Sequence, residues 1–242
     1  MLFRSQTVMM GTISEIAINP NLNPKIGYDI WKDFALIGPV AYTPITLVVH
    51  PAVPAKSVQE LIALARAKPK ALNYGSAGTG SGSHMAAELF SYLAKVDLTH
   101  VPYKGVGPAV ADTVAGQVQM TFTTVPSAVN FVRGGQLRSL GVASAQRAPQ
   151  LPDVPTFVEA GVPEYQMDYW YCLVAPAATA REAQARLNGA VREVMRMQEV
   201  AASLDKSGLL PLVMAADDFA AYVRKENERW SAVVKAAGLK AD

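Results

Sequence analysis

Tyr74-Gly75-Ser76-Ala77-Gly78-Thr79-Gly80-Ser81-Gly82-Ser83-His84 joins a short apolar strand to an amphipathic helix through a polar, glycine-rich turn. A helix N-terminus presents unpaired backbone N–H groups and the positive end of its dipole, and glycine lets a ligand come close to the backbone. Residues 71–87 contain no Asp or Glu, so nothing acidic in the segment opposes an anion. The turn is therefore suited to a small anion. The competing reading is a tight strand-to-helix turn whose small residues serve packing.

Spacing excludes several sharper readings. A P-loop needs Lys and Ser/Thr after its last glycine, but Gly80 is followed by Ser81 and Gly82, which leaves no cation for a nucleotide's phosphates. A dinucleotide fingerprint would need its third glycine at Ser83 or at Met85, depending on register, and fails in both. None of Ser76, Ser81 and Ser83 has glycines two residues away on both sides, so the nucleophile elbow of the α/β-hydrolases is missing.

The chain's 242 residues are 50% hydrophobic and 17% charged, a balance that supports a substantial core in one domain or two. The net charge of +2 is spread without a basic run or interleaved aromatics, which gives nucleic-acid binding little support. Cys172 is the only cysteine, so no intrachain disulfide forms. With His50, His84 and His100 widely spaced, no familiar zinc pattern assembles, and neither a metal nor a cofactor is expected. Cys172 lies in an apolar segment and reads as a small buried hydrophobe. No apolar run reaches the length of about 18 residues of a membrane span. Met1–Ser5 is too short for a secretory signal, and Thr7–Met10 already reads as a strand entering Gly11-Thr12, so the chain is expected to start inside a domain.

From Pro54 to Ala143 helix and strand alternate. Ser57 and Glu60 form a capping box before Val58, Leu61, Ile62, Leu64 and Ala65, whose spacing gives one apolar helical face stopped by Pro69. Strand Leu72–Tyr74 enters the glycine turn, and Met85, Leu89, Tyr92 and Leu93 continue as a helical stripe. Strand Leu98–Val101, helix Pro108–Ala115, strand Val118–Phe122, helix Ser127–Arg133 and strand Arg138–Ala143 follow. Such alternation predicts a parallel sheet covered by helices. Ligands of such sheets sit beyond the carboxyl ends of the strands, which gathers Ser76–His84, Pro102–Gly105 and Thr123–Pro126 around one crevice. Phe34–Val49, interrupted by Gly38-Pro39 and Pro44, and Met167–Ala175 read as extended stretches that cross between two lobes. Helices near 181–197 and 199–207, a strand near 210–213 and a long helix at 217–237 complete the second lobe with Val8–Gly11.

Taken in order, Ala17-Ile18-Asn19-Pro20, Asp33-Phe34, Val53-Pro54-Ala55-Lys56-Ser57, Ser76-Ala77-Gly78-Thr79-Gly80 with His84, and Val101-Pro102-Tyr103-Lys104-Gly105 make a recognisable series. Leu151-Pro152-Asp153-Val154-Pro155-Thr156, Glu159-Ala160-Gly161 and Leu173-Val174-Ala175-Pro176 continue it. The series resembles the solute-binding proteins of tripartite tricarboxylate transporters, the TctC-like or Bug family, over nearly the whole chain from Thr7. The resemblance implies a bilobal α/β receptor of the periplasmic-binding-protein type II, or Venus-flytrap, kind, with parallel or mixed sheets flanked by helices. Lobe 1 would comprise residues 1–40 and 168–242, and lobe 2 residues 41–167. Such a receptor captures a small carboxylate in the periplasm, in a cleft between lobes, and delivers it to the membrane permease subunits. It acts as a monomer, without enzymatic activity or membrane insertion.

Carried over by motif, Ser76, Gly78, Thr79, Gly80 and Ser81 would grip a carboxylate through backbone and hydroxyl donors, with Tyr103, Thr123 and Thr124 on the opposite wall. Trp170 or Tyr169 would cover the ligand, although an aromatic on such a strand is more often core. His84, inside the helix, reads as a hydrogen-bonded structural residue, and Lys104 as a solvated lysine. Two departures matter. The family's signal peptide, first strand and Pro-Gly-Gly loop have no counterpart here, so a fragment or truncated product with an incomplete lobe 1 is expected. Thr123 stands where members that bind amino acids can carry Asp, which favours an unsubstituted di- or tricarboxylate or an aromatic acid. The alternatives are a ligand sensor for a membrane signalling partner, an enzyme acting on a carboxylated substrate, and a remnant that binds nothing. For the enzyme, no nucleophile or acid–base pair is evident in the three turns.

Overall fold

A computed structural model describes residues 7–239, so the reading of Met1–Ser5 lies outside the described residues. The chain divides into two units, one built from the residues up to Tyr42 and from Trp170 onward, the other from Thr43–Tyr169. The first unit opens with β1 (Met9–Thr12), a π-helical turn at Ser14–Ile18, α1 (Asn19–Leu22) and α2 (Ile30–Asp33). Asp29 caps α2 by accepting the amides of Trp31 and Lys32. Strand β2 (Phe34–Val49) then runs out of this unit and into the next. It stays continuous through Gly38-Pro39 and Pro44, where the sequence suggested breaks. Both prolines lie outside its ladders at Ala41–Tyr42 and Ile45–Val49, so neither is asked there for the N–H it lacks.

In the second unit β2 is followed by α3 (Val58–Ala67), β3 (Asn73–Ser76), α4 (Gly82–Ala94), β4 (Thr99–Pro102) and α5 (Val106–Val114). Then come β5 (Met120–Thr124), α6 (Val125–Arg133), β6 (Arg138–Val142) and the start of β7 (Asp168–Pro176). Ser57 caps α3 by accepting the amide of Glu60, but the Glu60 carboxylate reaches past the cap residue to the amide of Lys56, at 2.6 Å. Strand β3 pairs in parallel with β4 and β5, as alternation predicts. The sheet is nonetheless mixed, because β2 lies between β5 and β6 and is antiparallel to both. A strand that arrives directly from another unit needs no crossover helix, so nothing forces it parallel.

Two apolar layers sandwich this sheet. On one side Phe90 of α4 and Phe122 of β5 meet Phe157 and Tyr165, with ring centroids 4.1–6.4 Å apart. The Tyr165 hydroxyl donates to the Ala86 carbonyl at 2.9 Å, which satisfies its polar end in the core. On the other side Val48, Val110, Ala128 and Leu137 pack with Val106, Val114, Phe131 and Val132 of α5 and α6. Burying each of these large side chains contributes roughly 1.5–3 kcal/mol. The irregular segment after β6 is pinned by Thr156 and Glu159, which exchange side-chain-to-amide hydrogen bonds, and by the Arg147–Glu159 ion pair.

The chain re-enters the first unit along β7, which pairs antiparallel with β1, and continues through α7 (Arg181–Val194), α8 (Gln198–Lys206), β8 (Leu210–Pro211) and α9 (Ala216–Ala236). Strand β8 pairs antiparallel with the first half of β2. Trp170 packs edge-on against Phe219 and Tyr222 of α9, and Asn21 bonds to Asn227 of the same helix. Cys172 is buried, and burial pushes its thiol up to about 12, which agrees with the reading of an inert hydrophobe. Among the described residues no helix is long and apolar enough to cross a membrane.

Candidate functional site

The register of β3 against β4 and β5 sets Ser76 at the carboxyl edge of the second unit's sheet, with Pro102 beside it. From there the chain makes its glycine turn into α4. Gly78 at φ +117° and Gly80 at φ +79° take left-handed conformations that other residues adopt only with strain. The backbone of Gly78 comes so close to the Tyr103 carbonyl that an added Cβ would sit 3.3 Å from that oxygen.

Most donors of the turn are used within the turn. The amide of Ala77 donates to Ser83 Oγ at 2.8 Å, that of Gly78 to Ser76 Oγ at 3.1 Å, and that of Gly80 to His84 Nδ1 at 3.2 Å. Ser81 donates its amide to the Gly78 carbonyl, and its hydroxyl caps α4 by accepting the amide of His84. Among the described residues the amides of Thr79, Gly82 and Ser83 have no hydrogen-bond partner. Thr79 is exposed, and Gly82 and Ser83 are the first two residues of α4. These donors lie close together in the chain, at the positive end of the dipole of a 13-residue helix.

A buried polar cluster underlies the turn. His100 of β4 lies 2.6 Å through Nε2 from Ser76 Oγ, and its ring stacks on those of Tyr74 and His84 at 4.9 and 4.2 Å. The Tyr74 hydroxyl donates to Glu88 Oε1 at 2.5 Å. Burial, and secondarily the neighbouring His100, pulls His84 down to about 4, while burial raises Glu88. The 3.8 Å approach of His84 Nε2 to Glu88 is therefore a contact of a neutral imidazole at pH 7, not an ion pair. Ser76 and His100 form a close Ser–His pair, yet Ser76 is fully buried, and its hydroxyl is engaged by Gly78 and His100.

Tyr103 donates its amide to the Ser76 carbonyl and its hydroxyl to Asp112 Oδ2 at 2.7 Å; desolvation and that partner push the phenol up to about 12. Its side chain thus points toward α5. Thr124 shares a hydrogen bond with Ser127 at 2.9 Å. Thr123, opposite Thr46 in the β2–β5 ladder, is 2% exposed, and its hydroxyl has no partner among the described residues. Lys104 is exposed. Trp170 is fully buried in the first unit, against Phe219 and Tyr222.

Sequence reading missed Ser83, whose hydroxyl closes the turn, and His100; Tyr169, read there as a cover for the ligand, lies on the turn itself. The Tyr169 ring lies directly on Gly82, where an added Cβ would stand 2.4 Å from Cε2. The sequence signal for His100 is its parallel register with Tyr74, which cannot be read until strands are paired. Among the described residues no cluster of three or more His, Cys, Asp or Glu side chains is placed to hold a metal ion.

The family model described as the tripartite tricarboxylate transporter family receptor matches residues 5–239. A UPF0065 protein from the tcbD-tcbE intergenic region of Pseudomonas sp. strain P51 is 35% identical over 212 residues, which is 87% of this chain and 63% of that protein's length. Among solved structures, Rhodopseudomonas palustris Rpa4515 with adipate is 34% identical at a TM-score of 0.87, covering 97% of this chain and 78% of that one. MatC (Rpa3494) from the same organism, with bound malate, is 33% identical at a TM-score of 0.83, covering 95% and 79%.

Proposed function

Because this chain belongs to the tripartite tricarboxylate transporter family of receptors, we propose that it is a periplasmic solute receptor for a small di- or tricarboxylate or a related organic acid. It acts as a monomer, without chemistry of its own, and delivers its ligand to tripartite tricarboxylate-type permease subunits in the membrane. The two units are its lobes.

The observation that carries this reading is the set of unpartnered amides at Thr79, Gly82 and Ser83, at the positive end of α4 and with no carboxylate in residues 71–87. Backbone donors of this kind match a carboxylate's two oxygens, and charge-assisted bonds of this type are the stronger ones. The Thr79 hydroxyl and the Thr123 and Thr124 hydroxyls add neutral donors, and none supplies a charge for an ammonium group. Ser76, Gly78, Gly80 and Ser81 shape the turn, and Tyr103 supports it through its backbone. Trp170 serves the core of its own unit. Relatives solved with adipate and with malate support the ligand class.

The test is a thermal-shift and calorimetric screen of adipate, malate and citrate. A ligand that binds only the folded chain stabilises it by about 2.7 kcal/mol at a hundred times its dissociation constant. Thr79→Leu, at an exposed position, is expected to remove that gain and leave the ligand-free melting temperature nearly unchanged. Absence of any shift across the acid panel overturns the carboxylate assignment.

A further inference from the structure

Two imidazoles sit beneath the glycine turn, and each reaches one of its inward amides. His84 Nδ1 takes the amide of Gly80 directly, at 3.2 Å. His100 Nε2 lies 2.6 Å from Ser76 Oγ, and that oxygen takes the amide of Gly78 at 3.1 Å. The rings stack with centroids 4.2 Å apart. Gly78 and Gly80 are the turn's left-handed residues, the points at which its path is decided. With their amides held inward, the amides of Thr79, Gly82 and Ser83 are left for a ligand.

We propose that His84 is a positioning residue for the anion grip: its unprotonated Nδ1 holds the Gly80 amide, and His100 buttresses it through Ser76. This rests on the carboxylate reading above. The chemistry sets a definite tautomer. A nitrogen that accepts from a backbone N–H carries no proton, so neutral His84 bears its hydrogen on Nε2, facing Glu88 Oε1 at 3.8 Å. An imidazolium would present N–H to N–H at Gly80 and lose the bond.

The titratable groups packed around His84 are Glu88 on its own helix, Tyr74 on β3 and His100 on β4, with Asp97 acting on Glu88. Glu88 Oε1 is already engaged by the Tyr74 hydroxyl. Two stacked imidazoles resist joint protonation, and burial lowers both. The support therefore stays neutral well below the pH at which an ordinary histidine charges.

The experiment combines ¹⁵N NMR of the ligand-free chain with adipate and malate calorimetry on two variants. Asn places its side-chain oxygen where Nδ1 stands, so H84N keeps the acceptor; Gln reaches the Nε2 position and H84Q does not. Expected are an Nε2–H tautomer at neutral pH and a Gly80 amide shift that is flat from about pH 8 to pH 5 and moves with His84 below that. Expected too is an affinity at pH 7 about tenfold weaker in H84Q, the loss of one hydrogen bond, and nearly preserved in H84N. An Nδ1–H tautomer, or equal affinities of H84N and H84Q, overturns the assignment. Should the parent chain bind no carboxylate, the function proposed above fails. The tautomer and the Gly80 titration then decide whether His84 holds the turn, and the claim that it serves an anion grip falls.

Discussion

Gly82→Ala is the substitution whose outcome the geometry constrains most tightly. Gly82 is the first residue of α4, and its φ lies outside the left-handed region, so alanine meets no backbone strain. On local grounds alone the change would stabilise, by up to about 1 kcal/mol from helix propensity and a stiffer unfolded chain. The obstacle is Tyr169. The new Cβ would lie 2.4 Å from Cε2 and 2.6 Å from Cδ2, whereas ordinary contact begins at 3.4 Å, so the ring must retreat by 3.4 − 2.4 = 1.0 Å. Because Cδ2 is near the ring's attachment, the whole ring has to swing. Overpacking of this kind costs about 1–3 kcal/mol, which outweighs the propensity gain and leaves a net loss of roughly 1–2 kcal/mol. In a Tyr169→Ala background the obstacle is gone and the same substitution is expected to be neutral or stabilising. Urea unfolding of the four proteins closes a double-mutant cycle with an expected coupling of about 2 kcal/mol. A coupling below about 0.5 kcal/mol, within the scatter of independent sites, refutes the packing argument.

Thr123→Val removes a buried hydroxyl that has no partner among the described residues; stability by urea unfolding is expected to hold or rise by up to about 1 kcal/mol, while adipate affinity falls if the hydroxyl meets the ligand. His84 gives acid sensitivity of stability with a definite sign. Its folded value of about 4 lies below the ordinary 6.5, so the unfolded chain takes the proton first and stability falls as pH drops from 6.5 toward 4. At 1.36 kcal/mol per unit the full loss, over 6.5 − 4 = 2.5 units, is roughly 3 kcal/mol. Urea midpoints of the parent and His84→Asn across that window test it, since the variant should lose the His84 share of the slope and keep only that of His100, which burial also lowers. Cys172, buried with its thiol raised to about 12, should resist iodoacetamide at pH 8 in the folded chain and react on unfolding.

Much of the second unit was legible before any strand was paired. The capping residue Ser57, the apolar stripes of α3 and α4 and the stop at Pro69 are signals carried within a turn or two of chain. Strand limits were legible less well: the sequence reading began three strands at Leu72, Leu98 and Val118, whereas they begin at Asn73, Thr99 and Met120. Apolar content marks where a strand is buried; its ends are set by the neighbour it pairs with.

The sequence by itself determined that a glycine turn without acidic residues opens a helix at the end of a strand, since glycine's conformational freedom and the orphan amides of a first turn are local properties. Tertiary structure alone decided which donors that turn keeps. Ser76 is engaged by His100 from 24 residues away. Tyr103 turns its hydroxyl to Asp112. Tyr169 closes over Gly82, and β2 enters the sheet against the direction of its neighbours. Apart from the Tyr103–Asp112 bond, which spans nine residues, these contacts join segments distant in the chain, and a contact made across such a distance leaves no period or spacing in the sequence from which to read it.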